Sequence, residues 1–264
     1  MASELILPES KNVLSKIVSD RINLLRPVCR DQVEFQKLAA HCIVALNELN
    51  PDKVYKNQSH TALIAAYNAI AIGLAPGSHM GLGYFIPRKG KLYFEIGYRG
   101  YIQLGYRSGF LSVITPVLVY RGEDFEYRMT ENGPVINHSI GFQDITKARQ
   151  EVVASYCFYQ TTSGGKSVYV SQRPELDQVD SGEHVWLSHY GPMAMKTSIR
   201  KASKSWPLDN DSRSAVAVDD AAYTGIDPPL ASDLRSIVDD IKSGRQRQVS
   251  FDDFPGDDGE DDGE

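Results

Sequence analysis

The sequence predicts an α+β fold: a mostly antiparallel sheet made of β-hairpins and flanked by helices, followed by a disordered acidic C-terminal tail. Three observations carry this. Apolar residues recur at the helical period in several stretches. Two pairs of β-branched and aromatic runs close around glycine-containing turns. Beyond Gly225 the chain turns to Pro, Ser, Asp and Gly, a composition that cannot bury enough apolar surface to order itself. The order helix, hairpin, helix, strands, hairpin, helix sets consecutive strands side by side, which favours antiparallel pairing.

Taken in order, residues 1–30 form an N-terminal segment available for subunit contacts, and 31–224 the main domain. Residues 31–49 read as a helix with Phe35, Leu38, Cys42, Ala45 and Leu49 on one face, broken by Asn50-Pro51-Asp52. Ser59 is a candidate cap for a second helix through TALIAAYNAIAIGL, which ends near Gly73 or Pro76-Gly77. Residues 81–97 make a hairpin around the basic turn Arg88-Lys89-Gly90-Lys91. A helix at 98–108 and a strand at 111–120 follow, then shorter strands at 125–128 and 135–137. A second hairpin pairs 152–160 with 167–171 around Ser163-Gly164-Gly165-Lys166. Pro174 opens a short helix, and a basic helix runs to Trp206, where Pro207 halts it. Residues 212–223 add one more helix. The tail, 225–264, is flexible apart from a short helix at 231–242.

The chain has 264 residues and a net charge of −6. That total hides a division. Residues 251–264 hold eight acidic side chains and no basic one; without them 26 acidic residues face 28 basic, a body of charge +2. Within it, residues 84–107 carry Arg88, Lys89, Lys91, Arg99 and Arg107 against Glu95 alone. Such asymmetry points to a polyanionic partner. Three scattered cysteines give no disulfide framework, no run of 18 apolar residues suggests a membrane span, and MASELILPES lacks a secretory pattern. The expected setting is a reducing cytoplasm with no membrane contact.

Two helices share one design. In GYRGYIQLGYRSG at 97–109, Tyr98, Ile102 and Gly105 form an inner arc, while Arg99, Gln103 and Arg107 recur at i, i+4, i+8 outside. In MAMKTSIRKASKSWPL at 193–208, Met195, Ile199, Ala202 and Trp206 face inward; Lys196, Arg200 and Lys204, with Lys201 beside them, form the other face. Like charges at i, i+4 cost a helix about 0.2–0.5 kcal/mol per pair. Accepting that cost twice is expected where a phosphate backbone lies along the face. Tyr98, Tyr101 and Tyr106 lie among these arginines, and aromatic faces stack bases without regard to sequence; core packing is the alternative for Tyr98 and Tyr101.

Spacing argues against other chemistry. Gly165-Lys166-Ser167 lacks the P-loop glycine five residues earlier, where Gln160 stands, and it joins two strands. Gly77, Gly81 and Gly83 lie between a helix and a strand, the reverse of a dinucleotide fingerprint, and serve as a helix stop and hairpin entry. The six histidines have no zinc-ligand spacing. The acidic pairs Glu123-Asp124 and Asp219-Asp220 are the candidates for a nuclease metal, but adjacent acids are common in turns and on helix surfaces. No cofactor, metal or catalytic residue is expected.

Three pieces resemble the RecT family of phage and prophage single-strand annealing proteins: LAPG at 74–77, YFIPRKGKLYFEIGYRGYIQLGYRSG at 84–109 and WLSHYGPMAMKTSIRKASKSWPL at 186–208. The resemblance runs from about Asn57 to Asp220. It implies an ATP-independent protein, not an enzyme, that binds single-stranded DNA in a cationic groove and pairs it with a complementary strand. It further implies a homo-oligomer (ring or helical filament) that holds the annealed duplex intermediate, with a 5′-to-3′ exonuclease and a host single-strand-binding protein as partners. Matched by motif position, Arg99 and Arg107 belong to the first basic element, and Lys196, Arg200 and Lys204 to the second. The expected DNA-binding set is Arg88, Lys89, Lys91, Tyr98, Arg99, Tyr101, Gln103, Arg107, Lys196, Arg200, Lys201 and Lys204. Passive single-strand binding without annealing is the alternative, and a metal-dependent nuclease a more distant one. Tyr190-Gly191-Pro192 departs from the family, which has acidic helical residues there, so the last basic helix is expected to start late or kink. The acidic tail is either a solubilising terminus or a competitor for the groove; its Asp252-Asp253-Phe254-Pro255 loosely resembles the acidic tip of bacterial single-strand-binding proteins.

Overall fold

A computed structural model describes residues 7–29, 31–50, 58–131, 133–141, 147–180, 182 and 184–224. The acidic tail at 225–264 and the short helix expected at 231–242 lie outside the described residues.

The first helices build the bulk of the core. Asn12 caps α1 (Val13–Ser19) in a reciprocal box with Ser15, and a 3-10 turn at Ile22–Val28 contains Pro27. Leu14, Val18, Ile22 and Leu25 are buried in the same cluster as the next two helices. The sequence reading assigned no element here, because each piece is only seven residues long. Asp31 caps α2 (Gln32–Asn47) by accepting from the Glu34 N–H at 2.6 Å. α3 (Ser59–Ile72) is apolar nearly all round and buried accordingly. Ser59 is its first helical residue and not its cap; Gln58 occupies the cap position, and its side chain makes no capping bond.

Among the described residues three antiparallel sheets follow. β1 (Gly83–Arg88) and β2 (Lys91–Ile96) form the expected hairpin, closed by Lys89 and Gly90 with φ of 50° and 76°. Positive φ at both central residues matches the right-handed twist of the strands. Gly77 donates to the Gly83 carbonyl at 2.9 Å, so these glycines shape the hairpin entry. α4 (Tyr98–Arg107) leads into β3 (Leu111–Tyr120), which pairs with β6 (Val152–Thr161), itself paired with β7 (Lys166–Gln172). Gly165-Lys166-Ser167 therefore turns one strand into its antiparallel neighbour. β4 (Asp124–Thr130) and β5 (Gly133–Ser139) form a longer hairpin than the alternation alone suggested. It docks by stacking Phe125 on Tyr156, centroids 5.7 Å apart.

Short helices α5 (Ala148–Glu151), α6 (Arg173–Val179) and α7 (His184–Ser188) lead to α8 (Tyr190–Ser203) and α9 (Asn210–Thr224). α8 does not start late: Tyr190, Gly191 and Pro192 are its first residues, where a missing N–H costs nothing. It stops at Ser203, earlier than Trp206, and tighter i→i+3 bonds carry the chain to Trp206. α8 lies against the β3–β6–β7 sheet through a buried Ser198–Ser155 hydroxyl contact of 3.0 Å. Ile199, Ala202 and Trp206 are buried as the periodicity predicted, whereas Met195 is half-buried.

Candidate nucleic-acid interface

α4 enters the core through Gly100, Tyr101, Leu104 and Gly105. A β-carbon at Gly100 would sit 2.0 Å from the Leu82 carbonyl oxygen, so the helix rests directly on the backbone entering the hairpin. This rotates the inner arc from the expected one: Tyr98 and Ile102 are half-buried, and the centre is Tyr101 and Leu104. Arg99, Gln103, Tyr106 and Arg107 share an arc of about 100° on the far side and are exposed. The Arg99 guanidinium lies 5.8 Å over the Tyr98 ring, with Nε donating to the Tyr98 hydroxyl at 3.2 Å. Lys89 is exposed at the hairpin tip, and Lys91 is half-buried.

The other basic helix is placed differently. Of its Lys196, Arg200, Lys204 row, only Lys204 faces solvent. Lys196 Nζ lies 3.0 Å from Glu95 Oε2, on β2. Arg200 lies 3.3 Å and Lys204 2.8 Å from the Asp220 carboxylate on α9, and Lys201 pairs with Glu175 on α6. Arg88 reaches the other Glu95 oxygen at 2.8 Å. Lys196 and Arg200 are corrected to paired cations, Arg200 buried and Lys196 mostly covered; Lys204 stays exposed despite its partner. Interleaved carboxylates thus relieve the like-charge repulsion that the spacing implied.

Asp219 stands at the centre of this network, fully buried, accepting from the Ile96 N–H at 2.5 Å and the Tyr101 hydroxyl at 2.6 Å. Burial raises its carboxyl above the ordinary value, against the pull of Lys196 and the two donors. Burial pushes Glu95 the same way, but Lys196 and Arg88 outweigh it and hold that carboxyl low. Lys196 is held high, because Glu95 and Asp219 more than offset its burial. Tyr101 is corrected as well: with no exposed surface it cannot stack on a base, and burial beside Asp219 raises its hydroxyl pKa.

Glu123, Asp219 and Asp220 of the acidic pairs have structural partners. Asp219 and Asp220 are accounted for above. Glu123 accepts from the Tyr120 and Gly141 N–H groups and lies 3.2 Å from His138. Among the described residues no group of three or more His, Cys, Asp or Glu is arranged to hold a metal ion. The three cysteines are free and buried. No helix among those residues is long and apolar enough to cross a membrane.

Four exposed aromatic residues are absent from the expected set: Tyr84, Tyr106 and Phe110 on or beside α4, and Tyr127 on β4. The helical wheel already placed Tyr106 on the Arg99 arc, and strand alternation turns Tyr84 away from the buried Gly83 and Phe85. Phe110 sits in a turn, where no periodicity speaks.

Comparison with known proteins bears on this face. The model of the RecT family matches residues 36–231. Protein RecT of Escherichia coli (strain K12) is 29% identical over 184 residues, covering 64% of this chain and 66% of the relative. The uncharacterized protein YqaK of Bacillus subtilis (strain 168) is 25% identical over 200 residues, covering 72% of this chain and 66% of the relative. In each case the match spans just under two thirds of the relative's length. The family match runs from within α2 to beyond α9 and takes in both basic helices, the hairpin and the sheet, well over half of the sequence. The chain belongs to the RecT family.

Proposed function

We propose that this chain is an ATP-independent single-strand annealing protein of homologous recombination. It binds single-stranded DNA along the outer face of α4, oligomerises on it as a ring or helical filament, and promotes pairing with a complementary strand. The observation that carries the reading is the solvent-facing row of Arg99, Gln103 and Arg107, with Lys89 nearby in sequence, in a chain of the RecT family. Lys204 would extend the row onto α8 by exchanging Asp220 for a phosphate. Annealing needs no covalent step: the protein neutralises two polyanions, and pairing contributes about 1.4 kcal/mol per base-pair step. Oligomerisation multiplies weak contacts along one strand. A 5′-to-3′ exonuclease that exposes the strand and a host single-strand-binding protein are the proposed partners.

The test is pairing of complementary oligonucleotides without nucleotide. The protein is expected to accelerate pairing and to leave labelled DNA intact with magnesium; binding without acceleration would make it a passive binder instead. An Arg99→Ala/Arg107→Ala variant should bind single strands about tenfold more weakly, as expected for lost charge-assisted bonds. Its slope of log affinity against log salt should shrink by roughly 1.4, about 0.7 per lost phosphate contact. Unchanged affinity and slope would remove α4 from the interface.

A further inference from the structure

We propose that Tyr84, Tyr106 and Phe110 form a nucleobase-stacking platform flanking the Arg99–Gln103–Arg107 row. The inference rests on the reading of α4 as the DNA face and adds what that face recognises: the flat surface of unpaired bases. Four aromatic side chains among the described residues are exposed: Tyr84 at 38%, Tyr106 at 47%, Phe110 at 48% and Tyr127 at 40%. Isolated exposed rings need no explanation. Here three of the four lie on or beside one helix of ten residues, around its basic row. Tyr84 is at its start, within reach of Gly81, Gly97 and Arg99. Tyr106 is on the row itself, and Phe110 is in the turn that follows.

Tyr106 and the backbone that carries Phe110 are anchored, which lowers the ordering cost of binding. The Tyr106 hydroxyl accepts from the Ile114 N–H at 3.2 Å, tying the ring to β3. Phe110 is pinned through its backbone: its N–H donates to Ser108 Oγ at 3.3 Å and its carbonyl accepts from the Thr162 N–H at 2.9 Å. Its ring stays half-exposed. From Arg99 to Arg107 the helix rises about 12 Å, at most the reach of three or four nucleotides at the duplex spacing of about 3.4 Å each and fewer for an extended strand. Phosphates lying on the cations therefore bring bases to rings at both ends of the row. Base faces in a duplex are stacked on one another, so the platform selects single strands. Pairing withdraws the bases from the rings, so the platform gives up its hold as annealing proceeds.

The experiment titrates the full chain and its Phe110→Leu and Tyr106→Leu variants with two labelled oligonucleotides of equal length, one all-thymidine and one abasic. Each leucine variant should bind the thymidine strand about fivefold or more weakly, the loss of roughly one stacked base. Binding to the abasic strand and the salt slope should not change. Tyr106→Phe keeps the ring while losing the Ile114 bond, so it should bind the abasic strand like the parent and the thymidine strand more tightly than Tyr106→Leu does; circular dichroism confirms that each variant is folded. Folded leucine variants that bind the thymidine strand as tightly as the parent, or that lose both strands equally, would overturn the platform. The Arg99→Ala/Arg107→Ala variant should lose both strands; if it loses neither, the α4 reading itself falls.

Discussion

Replacing Lys196 by alanine is expected to lower the free energy of unfolding by about 3–5 kcal/mol, the cost of leaving a buried ionic partner uncompensated. Lys196 stands between two buried carboxylates, Glu95 at 6% exposure and Asp219 at 1%. Without the ammonium, Glu95 retains Arg88, whereas Asp219 keeps only its two hydrogen-bond donors. The check is the denaturant midpoint at constant slope. Lys196→Met/Glu95→Gln, which removes both charges, should recover part of the loss. A Lys196→Ala protein as stable as the parent would show that the network contributes nothing.

The same groups set the pH response. Glu95 is held below its ordinary value, so the stability it contributes is lost as pH falls through that depressed value. Lys196 is held high, so its contribution disappears only as pH rises through the elevated one. Asp219 opposes Glu95: its raised pKa favours the folded state on the acid side, a gain that fades as pH rises through it.

Gly100→Ala is expected to destabilise by at least the upper end of the usual overpacking range, about 3 kcal/mol. The added carbon would lie 2.0 Å from the Leu82 carbonyl oxygen and 2.7 Å from Ile96 Cγ2. The first neighbour is backbone and cannot rotate away, so α4 must lift off the hairpin entry. Gln103→Ala on the exposed face of the same helix should stay within about 0.5 kcal/mol of the parent. Thermal unfolding of the pair separates the two outcomes: similar midpoints would mean that α4 does not rest on this backbone.

Local chemistry made much of the fold legible. The Lys89-Gly90 turn, the period-2 strands beside it and the helix beginning at Tyr98 are each specified by neighbours within a few residues. β3 matched its expected bounds, 111–120, because a β-branched run states both its period and its ends. The pieces before Gln32 were missed because neither is long enough to display a period. On α4 the arginines were correctly read as exposed, while the inner arc was rotated. A helical wheel ranks faces by polarity, and Tyr101 looks as polar as Tyr98 until its hydroxyl is seen on Asp219.

The basic row of α8 marks the boundary between the two kinds of information. By itself the sequence determined that Lys196, Arg200 and Lys204 share one helical face, since that follows from 3.6 residues per turn. It also determined the hairpins, the outward row of Arg99, Gln103 and Arg107, and a basic body behind an acidic tail. Only the tertiary structure decided what covers each face. Glu95 comes from about a hundred residues upstream and Asp219 and Asp220 from about twenty downstream. Charge acts across space, more strongly as water is excluded, whatever the separation along the chain. Two helices with the same pattern therefore part company: one row meets solvent, and most of the other is neutralised inside the fold.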